Sequence, residues 1–221
     1  MSYNIWDGGR PDAVYAAQNN SESIVNIEVE VRAPKMVALL NGEDIDVAGL
    51  QEVSANTKWV RWLRDNLDEK YGMVAAHTFD IRSGVYIIYR KERLEVLDNG
   101  IFWLAEGAPA TPAKLADGDF QRICNWALFR VKATGEAFVF MDTHLAAGLC
   151  KTAASDATPS KVRAAQTKIL VSQIPVIRES VNEKFGIEDC PVILVGDMNA
   201  VMGTDEYNNL AGALDDSIFL S

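Results

Sequence analysis

The sequence predicts an α/β fold of the α+β type, in which two mostly antiparallel sheets face each other and helices cover their outer sides. Three observations support this. The decapeptide PVILVGDMNA (Pro191 to Ala200) carries four consecutive apolar residues, Val192 to Val195. Such a run marks a strand buried on both faces, because an exposed strand would alternate. The runs Met73 to Thr78, Val85 to Tyr89 and Leu94 to Leu104 are joined by the polar links DIRSG and KER, as in antiparallel hairpins. Helical patterns lie between the strand-rich stretches, and no short-period repeat interrupts them.

Taken in order, SYNIW opens as a short strand whose alternation sets Tyr3 and Ile5 on one side and Asn4 on the other. An Asn inside an apolar strand needs partners for its amide, either at a functional site or in a neighbouring loop. Asp7 to Ser21 is polar and turn-rich and reads as a surface loop. Ile24 to Val31 fits a helix or a strand equally well. Pro34 suits the first turn of a helix carrying Met36, Leu39 and Leu40 on one face. DIDVAGLQEV (Asp44 to Val53) is the next strand, with Val47, Ala48 and Leu50 buried and Glu52 at its carboxyl end. Asn56 or Thr57 caps a helix with Val60, Leu63 and Leu67 inward, and Gly72 closes it. Trp59 and Trp62 are expected to pack on the sheet.

The hairpin strands come next, with His77 in a structural role in the first of them. Ala105 to Asp119 is a long loop of Ala, Pro and Gly, a length at which loops are often lids. RICNWALFRV and EAFVFMDTHL form a hairpin about a Lys-Ala-Thr-Gly turn, and the second ends in Asp142, Thr143 and His144. Leu145 to Pro159 is small and polar. Ser160 caps the longest helix, with Val162, Ala165, Ile169, Leu170 and Ile174 inward, until Pro175 kinks or ends it; a second piece continues to Phe185. Past the decapeptide, Thr204 caps a short helix from Asp205 to Leu210.

Composition narrows the function classes. The chain of 221 residues is 48% apolar and 24% charged, which supports a real core within one domain, residues 1–221. No apolar run reaches membrane-spanning length, and no signal-peptide pattern precedes the fold. With a net charge of -10, the protein as a whole repels a polyanion, so a phosphate-bearing substrate needs a local cation or placed Arg and Lys. Cys124, Cys150 and Cys190 lack metal-like spacing and read as packing residues.

Polar groups recur directly after apolar strands: Asn4, Glu52, His144, and Asp197 with Asn199. If the chain stays extended past Asp197, that carboxylate and the Asn199 amide face one pocket. Were Glu52 and Asp197 about 5 Å apart at an effective dielectric near 20, their repulsion would be roughly 3 kcal/mol. A cation between them, or a proton on one, relieves it. Carboxylate and amide oxygens without Cys suit Mg²⁺ or Mn²⁺ better than Zn²⁺.

These stretches resemble the endonuclease/exonuclease/phosphatase superfamily, in order along nearly the whole chain. YNIW resembles the opening strand with its Asn and DVAGLQEV the metal-binding strand. GVYIIYRKERLEVLDNGIFWL resembles the central hairpin, QRICNWALF with FVFMDTHL the phosphate-facing pair, and PVILVGDMNA the GDFN strand. The resemblance implies a four-layer α/β/β/α sandwich, deoxyribonuclease I-like, and a Mg²⁺-dependent phosphoesterase using in-line attack of water. Glu52 would bind the cation, with Asn4 close to the same metal and phosphate. Asp197 would orient or deprotonate the water, Asn199 would hold a phosphate oxygen, and His144 would hydrogen-bond the phosphate in the transition state. Arg122 would steady a phosphate or a carboxylate, or form a structural ion pair; Asp142 is read as structural.

Family members continue past GDFN to a strand resembling RIDYIF and an Asp-His pair in SDHxP, and neither segment occurs before Ser221. The expectation is therefore a fragment clipped at both ends, with one sheet opened and weak hydrolysis or none, whereas the full-length protein is active; a monomer is expected. A non-catalytic protein binding a phosphorylated ligand or protein partner is the alternative. A nuclease for long duplexes fits the acidic balance less well. The particular phosphoester (lipid head group, sugar phosphate, inositol phosphate or nucleic acid) is set by loops and is not legible.

Overall fold

The structure, a computed structural model, describes residues 1–6, 29–53, 59–76, 84–105, 121–148 and 158–220. The strands among them are β1 (Ser2–Asn4), β2 (Val47–Gln51), β3 (Tyr71–Ala76), β4 (Val85–Arg90), β5 (Leu94–Trp103), β6 (Ile123–Val131), β7 (Ala137–His144) and β8 (Val192–Asp197). The α-helices are α1 (Val29–Gly42), α2 (Trp59–Asn66), α3 (Pro159–Phe185) and α4 (Asp205–Ala211). Two four-stranded sheets form, in the orders β1-β2-β4-β3 and β5-β6-β7-β8. β1 with β2 and β7 with β8 are parallel, and the other four pairings are antiparallel. Each parallel pair is the two ends of a crossover, through α1 or α3, which is what parallel pairing requires.

Three apolar layers hold the sandwich. Ile87, Ala127, Phe129 and Phe140 pack between the sheets with Val47, Val74 and Val195. Met36, Val37, Leu40 and Leu63 of α1 and α2 pack on the first sheet through Ala48, Leu50, Tyr86 and Ile88. Leu170, Ile174, Ile177 and Val181 of α3 pack on the second sheet through Leu128, Val139 and Met141. The four-layer α/β/β/α arrangement expected from sequence is therefore present. Among the described residues, no helix is long and apolar enough to cross a membrane.

Several local expectations are corrected. α1 includes Val29, so Pro34 lies inside it, and Leu39 is 39% exposed while Ala33, Met36, Val37 and Leu40 form the buried stripe. Gly72 belongs to β3, where its missing Cβ leaves room for the Tyr89 ring; α2 has ended at Asn66. α3 is capped by Thr158, whose hydroxyl accepts the Lys161 N–H at 3.3 Å, and by left-handed Gly186. It runs unbroken through Pro175, because Ile177 and Val181 bury apolar surface beyond that residue and offset the lost hydrogen bond. The inward face also includes the polar residues Gln166 and Thr167, whereas Ala165 and Ile169 are only half-buried. β8 is not buried on both faces. Among the described residues it pairs only with β7, so it is a sheet edge, and Ile193 is 45% exposed.

Cys124 and Cys190 are buried and unbridged. His77, Cys150, the Asn56 or Thr57 cap and most of the loops at 7–21, 105–119 and 145–159 lie outside the described residues.

Close packing between the sheets is strict at Gly49, where a Cβ would stand 2.6 Å from Asp142 Cγ and 2.7 Å from Val195 Cγ2. Gly49→Ala is expected to cost about 1–3 kcal/mol, the usual penalty for overpacking, measured by urea denaturation. An unchanged midpoint would show that the sheets can separate locally.

Candidate active site

The two parallel pairs decide where the polar groups fall. In register, Asn4 stands beside Gln51 at the end of β1 and β2, and His144 beside Asp197 at the end of β7 and β8. The sheets face each other, so all four strand ends open on one mouth. Asn4 Nδ2 donates to Glu52 Oε1 at 2.9 Å and to Asp197 Oδ2 at 2.8 Å. The carboxylates of Glu52 and Asp197, one from each sheet, are thus within two hydrogen-bond lengths of each other. Sequence reasoning left a cation or a proton between them; in the structure an amide NH₂ stands there.

The orientation of that amide is fixed, since Asn4 Oδ1 accepts the Trp6 N–H at 2.8 Å and so must face away from the carboxylates. Trp6 has φ of 51°, unusual for a residue with a side chain. It is held by Arg32 of α1, which donates to the carbonyls of Trp6 and Ile5 and stacks over the Trp6 ring at 5.1 Å. Glu52, just past β2, is left-handed as well, with φ of 63°. This turn takes its side chain out of strand alternation and into the mouth.

Past β8 the chain does not stay extended. Asn199 has φ of 48°; its N–H donates to Asp197 Oδ1 at 3.1 Å and its Nδ2 to the Leu145 carbonyl at 3.2 Å. The Leu145 N–H in turn donates to the Asp197 carbonyl at 3.0 Å. Asn199 therefore ties the residue after His144 to the end of β8. Gly196 is likewise no turn but part of β8, where a side chain would run into the Thr143 carbonyl.

His144 is 6% exposed, with Nε2 3.7 Å from Asp197 Oδ2, and its Nδ1 has no hydrogen-bond partner among the described residues. Burial, followed by the positive charge of Arg122, pushes its pKa down to about 4, against the pull of Asp197 and Glu52. The imidazole is neutral at pH 7 and keeps one N–H to donate. Arg122 is buried just before β6, with its carbonyl accepting from Leu104 N–H at 2.8 Å. Asp142, read as structural, lies wholly buried between the sheets and accepts from Gln51 Nε2 at 2.6 Å.

Among the described residues, no group of three or more His, Cys, Asp and Glu forms a ready metal cage. Two carboxylates at one open mouth, one from each sheet, would suit Mg²⁺ or Mn²⁺, which keep waters and take remaining ligands from phosphate. As oriented, Asn4 offers a donor and positions the carboxylates, while Glu52 offers the ligand oxygen.

Trp6, Arg32 and Gln51 were not singled out from the sequence. Gln51 carried a readable signal, a polar residue inside an apolar strand directly before Glu52. Arg32 lay just past Ile24 to Val31, the stretch where helix and strand periodicity tied.

No family model matches the chain, and no curated protein matches it in sequence. Solved structures do match in shape. An endonuclease/exonuclease/phosphatase family protein from Bacteroides thetaiotaomicron superposes with a TM-score of 0.69 at 22% identity, over 94% of this chain and 64% of that one. The mannosyl-6-phosphatase Bt3783 of Bacteroides thetaiotaomicron VPI-5482 gives 0.66 at 24% identity, over 94% and 67%. ANGEL2, a 2',3'-cyclic phosphatase in complex with adenosine-2',3'-vanadate, gives 0.69 at 19% identity, over 94% and 55%. The chain has the deoxyribonuclease I-like fold of the endonuclease/exonuclease/phosphatase proteins. It spans 55% to 67% of the length of these three.

Because the pKa of His144 is lowered on folding, the unfolded chain takes up the proton first as pH falls. Its contribution to stability is complete above the ordinary value of 6.5 and declines as pH drops toward about 4. The His144 imidazole signals are expected to titrate near pH 4 by NMR, and His144→Gln should flatten the stability loss across that window. A midpoint near 6.5 would contradict the buried, Arg122-facing placement.

Proposed function

We propose that this chain carries the centre of a Mg²⁺- or Mn²⁺-dependent phosphoesterase that hydrolyses its substrate by in-line attack of water. The observation that supports this most is that the Asn4 amide joins the Glu52 and Asp197 carboxylates across the two sheets, with His144 beside Asp197. The phosphatases among the structures of the same fold favour the same reading.

Each residue has a part that follows from its surroundings. Glu52 would hold the cation, which supplies polarisation of a phosphoryl oxygen and stabilisation of the leaving oxygen. Asp197 has Oδ2 directed into the mouth, where it accepts a proton from the attacking water as the new P–O bond forms and the ester P–O bond breaks. His144, neutral and with Nε2 3.7 Å from Asp197 Oδ2, donates from that nitrogen to a phosphoryl oxygen as negative charge gathers there. The positive charge of Arg122 acts on that imidazole and helps keep it neutral. Asn199 fastens Leu145, so binding a phosphate oxygen would require its amide to leave that carbonyl. The substrate is a phosphate ester whose identity lies with the loops.

Calorimetric titration with Mg²⁺ and hydrolysis of bis-p-nitrophenyl phosphate test this together. Cation binding should be lost in Glu52→Ala, and any hydrolysis should fall roughly 10²–10⁴-fold in Asp197→Asn, the usual worth of a positioned base. Absent cation binding, with no effect of either substitution, would favour a protein that binds a phosphorylated ligand without turning it over.

A further inference from the structure

Packing between the sheets is apolar along most of its length, and apolar contacts do not by themselves fix how one sheet sits laterally over the other. Among the described residues of the second sheet, Asn125 of β6 and Asp142 of β7 break that pattern, and they stand opposite each other in the ladder. Both reach across to the other sheet. Asn125 Nδ2 donates to the carbonyls of Val74 at 3.0 Å and Val85 at 3.2 Å, on β3 and β4. Asp142 Oδ1 accepts from Gln51 Nε2 at 2.6 Å, on β2, and the same nitrogen reaches Ser2 Oγ of β1 at 3.2 Å.

Asp142 is a costly choice for packing alone. It is wholly buried, its Oδ2 has no partner among the described residues, and its room exists only because residue 49 is glycine. An apolar side chain of similar volume would fill the space at no desolvation cost. What the carboxyl supplies, and an apolar group cannot, is a directional bond to a side chain of the facing sheet. That residue is Gln51, immediately before Glu52, while Asp142 stands two positions before His144 on the strand paired with β8.

We propose that Asp142 and Gln51 form an inter-sheet clamp that positions Glu52 against His144 and Asp197, so that Asp142 is a positioning residue of the cation and phosphate site. The clamp rests on the function proposed above where it concerns the cation, but its geometric consequence does not. Asn4 Nδ2 bridges carboxylates from both sheets, so it reports on their alignment in metal-free protein.

Two measurements on the same variants test the clamp. In metal-free protein, Asp142→Leu and Gln51→Leu should each shift the Asn4 side-chain amide signal and speed its hydrogen exchange by at least about 10-fold, as expected when one of two partners is lost. Asp142→Asn keeps an acceptor for Gln51 and should retain the wild-type signal. Asn125→Leu, which loosens the sheets away from Glu52, should lower stability without moving it. Titrated with Mn²⁺, the two Leu variants should weaken binding about 10- to 100-fold, the range for groups that orient a ligand, and the double variant should be no weaker than either single one. An Asn4 signal unmoved in folded Gln51→Leu overturns the clamp, even if Asp142→Leu does not fold. A wild-type chain that binds no Mn²⁺ while the Asn4 signal still responds would refute the cation site and keep the clamp.

Discussion

The carboxylates of Glu52 and Asp197 belong to different sheets, and everything at the mouth depends on the lateral register in which those sheets pack. Like charges this close repel, so apolar contacts elsewhere must hold them together. Phe129, Phe140, Ile87 and Val195 supply the attraction between the sheets, and directional bonds through Asn125, Asp142 and Gln51 supply the alignment. The Asn4 amide, donating to both carboxylates, is the point where the result can be seen.

Chain connectivity explains why the functional groups share one end of the sandwich. A mostly antiparallel sheet sends consecutive strand ends to opposite edges. Each sheet here contains one parallel pair, and each pair places two carboxyl ends side by side. Residues just beyond those ends leave strand geometry through left-handed backbone at Trp6, Glu52 and Asn199. Such conformations cost about 1–3 kcal/mol each for residues with side chains. They persist because Arg32 binds the carbonyls around Trp6, the Val53 N–H bonds the Gly84 carbonyl at 3.1 Å, and Asn199 is bonded at both its N–H and its Nδ2. Strain is concentrated where side chains must be re-aimed.

Much of this was legible beforehand, and the misses have a common origin. The strands from Val47 onward, the hairpin about Lys132 to Gly135 and the short final helix follow from local pattern, which the fold did not override. Pro175, Gly72 and Gly196 were misread because a Pro or Gly signals a break only where burial does not outweigh it. Ile177 and Val181 carry α3 past its proline, and Gly72 and Gly196 answer to the bulk of Tyr89 and Thr143 across a ladder. The buried reading of β8 failed for a similar reason, since four apolar residues show a taste for burial but not the position of a strand in its sheet.

By itself, the sequence determined which chemistry the protein has to offer: oxygen donors after core strands, two histidines, no thiolate cage and an acidic surface. Residue types and alternation are local properties, and they suffice for that. Only the tertiary structure decided that Asn4 points its NH₂ at both carboxylates, that Asn199 turns to Leu145, and that Asp142 reaches Gln51. Those outcomes hang on backbone dihedrals and on contacts between residues 48 to 193 positions apart, which no local pattern encodes.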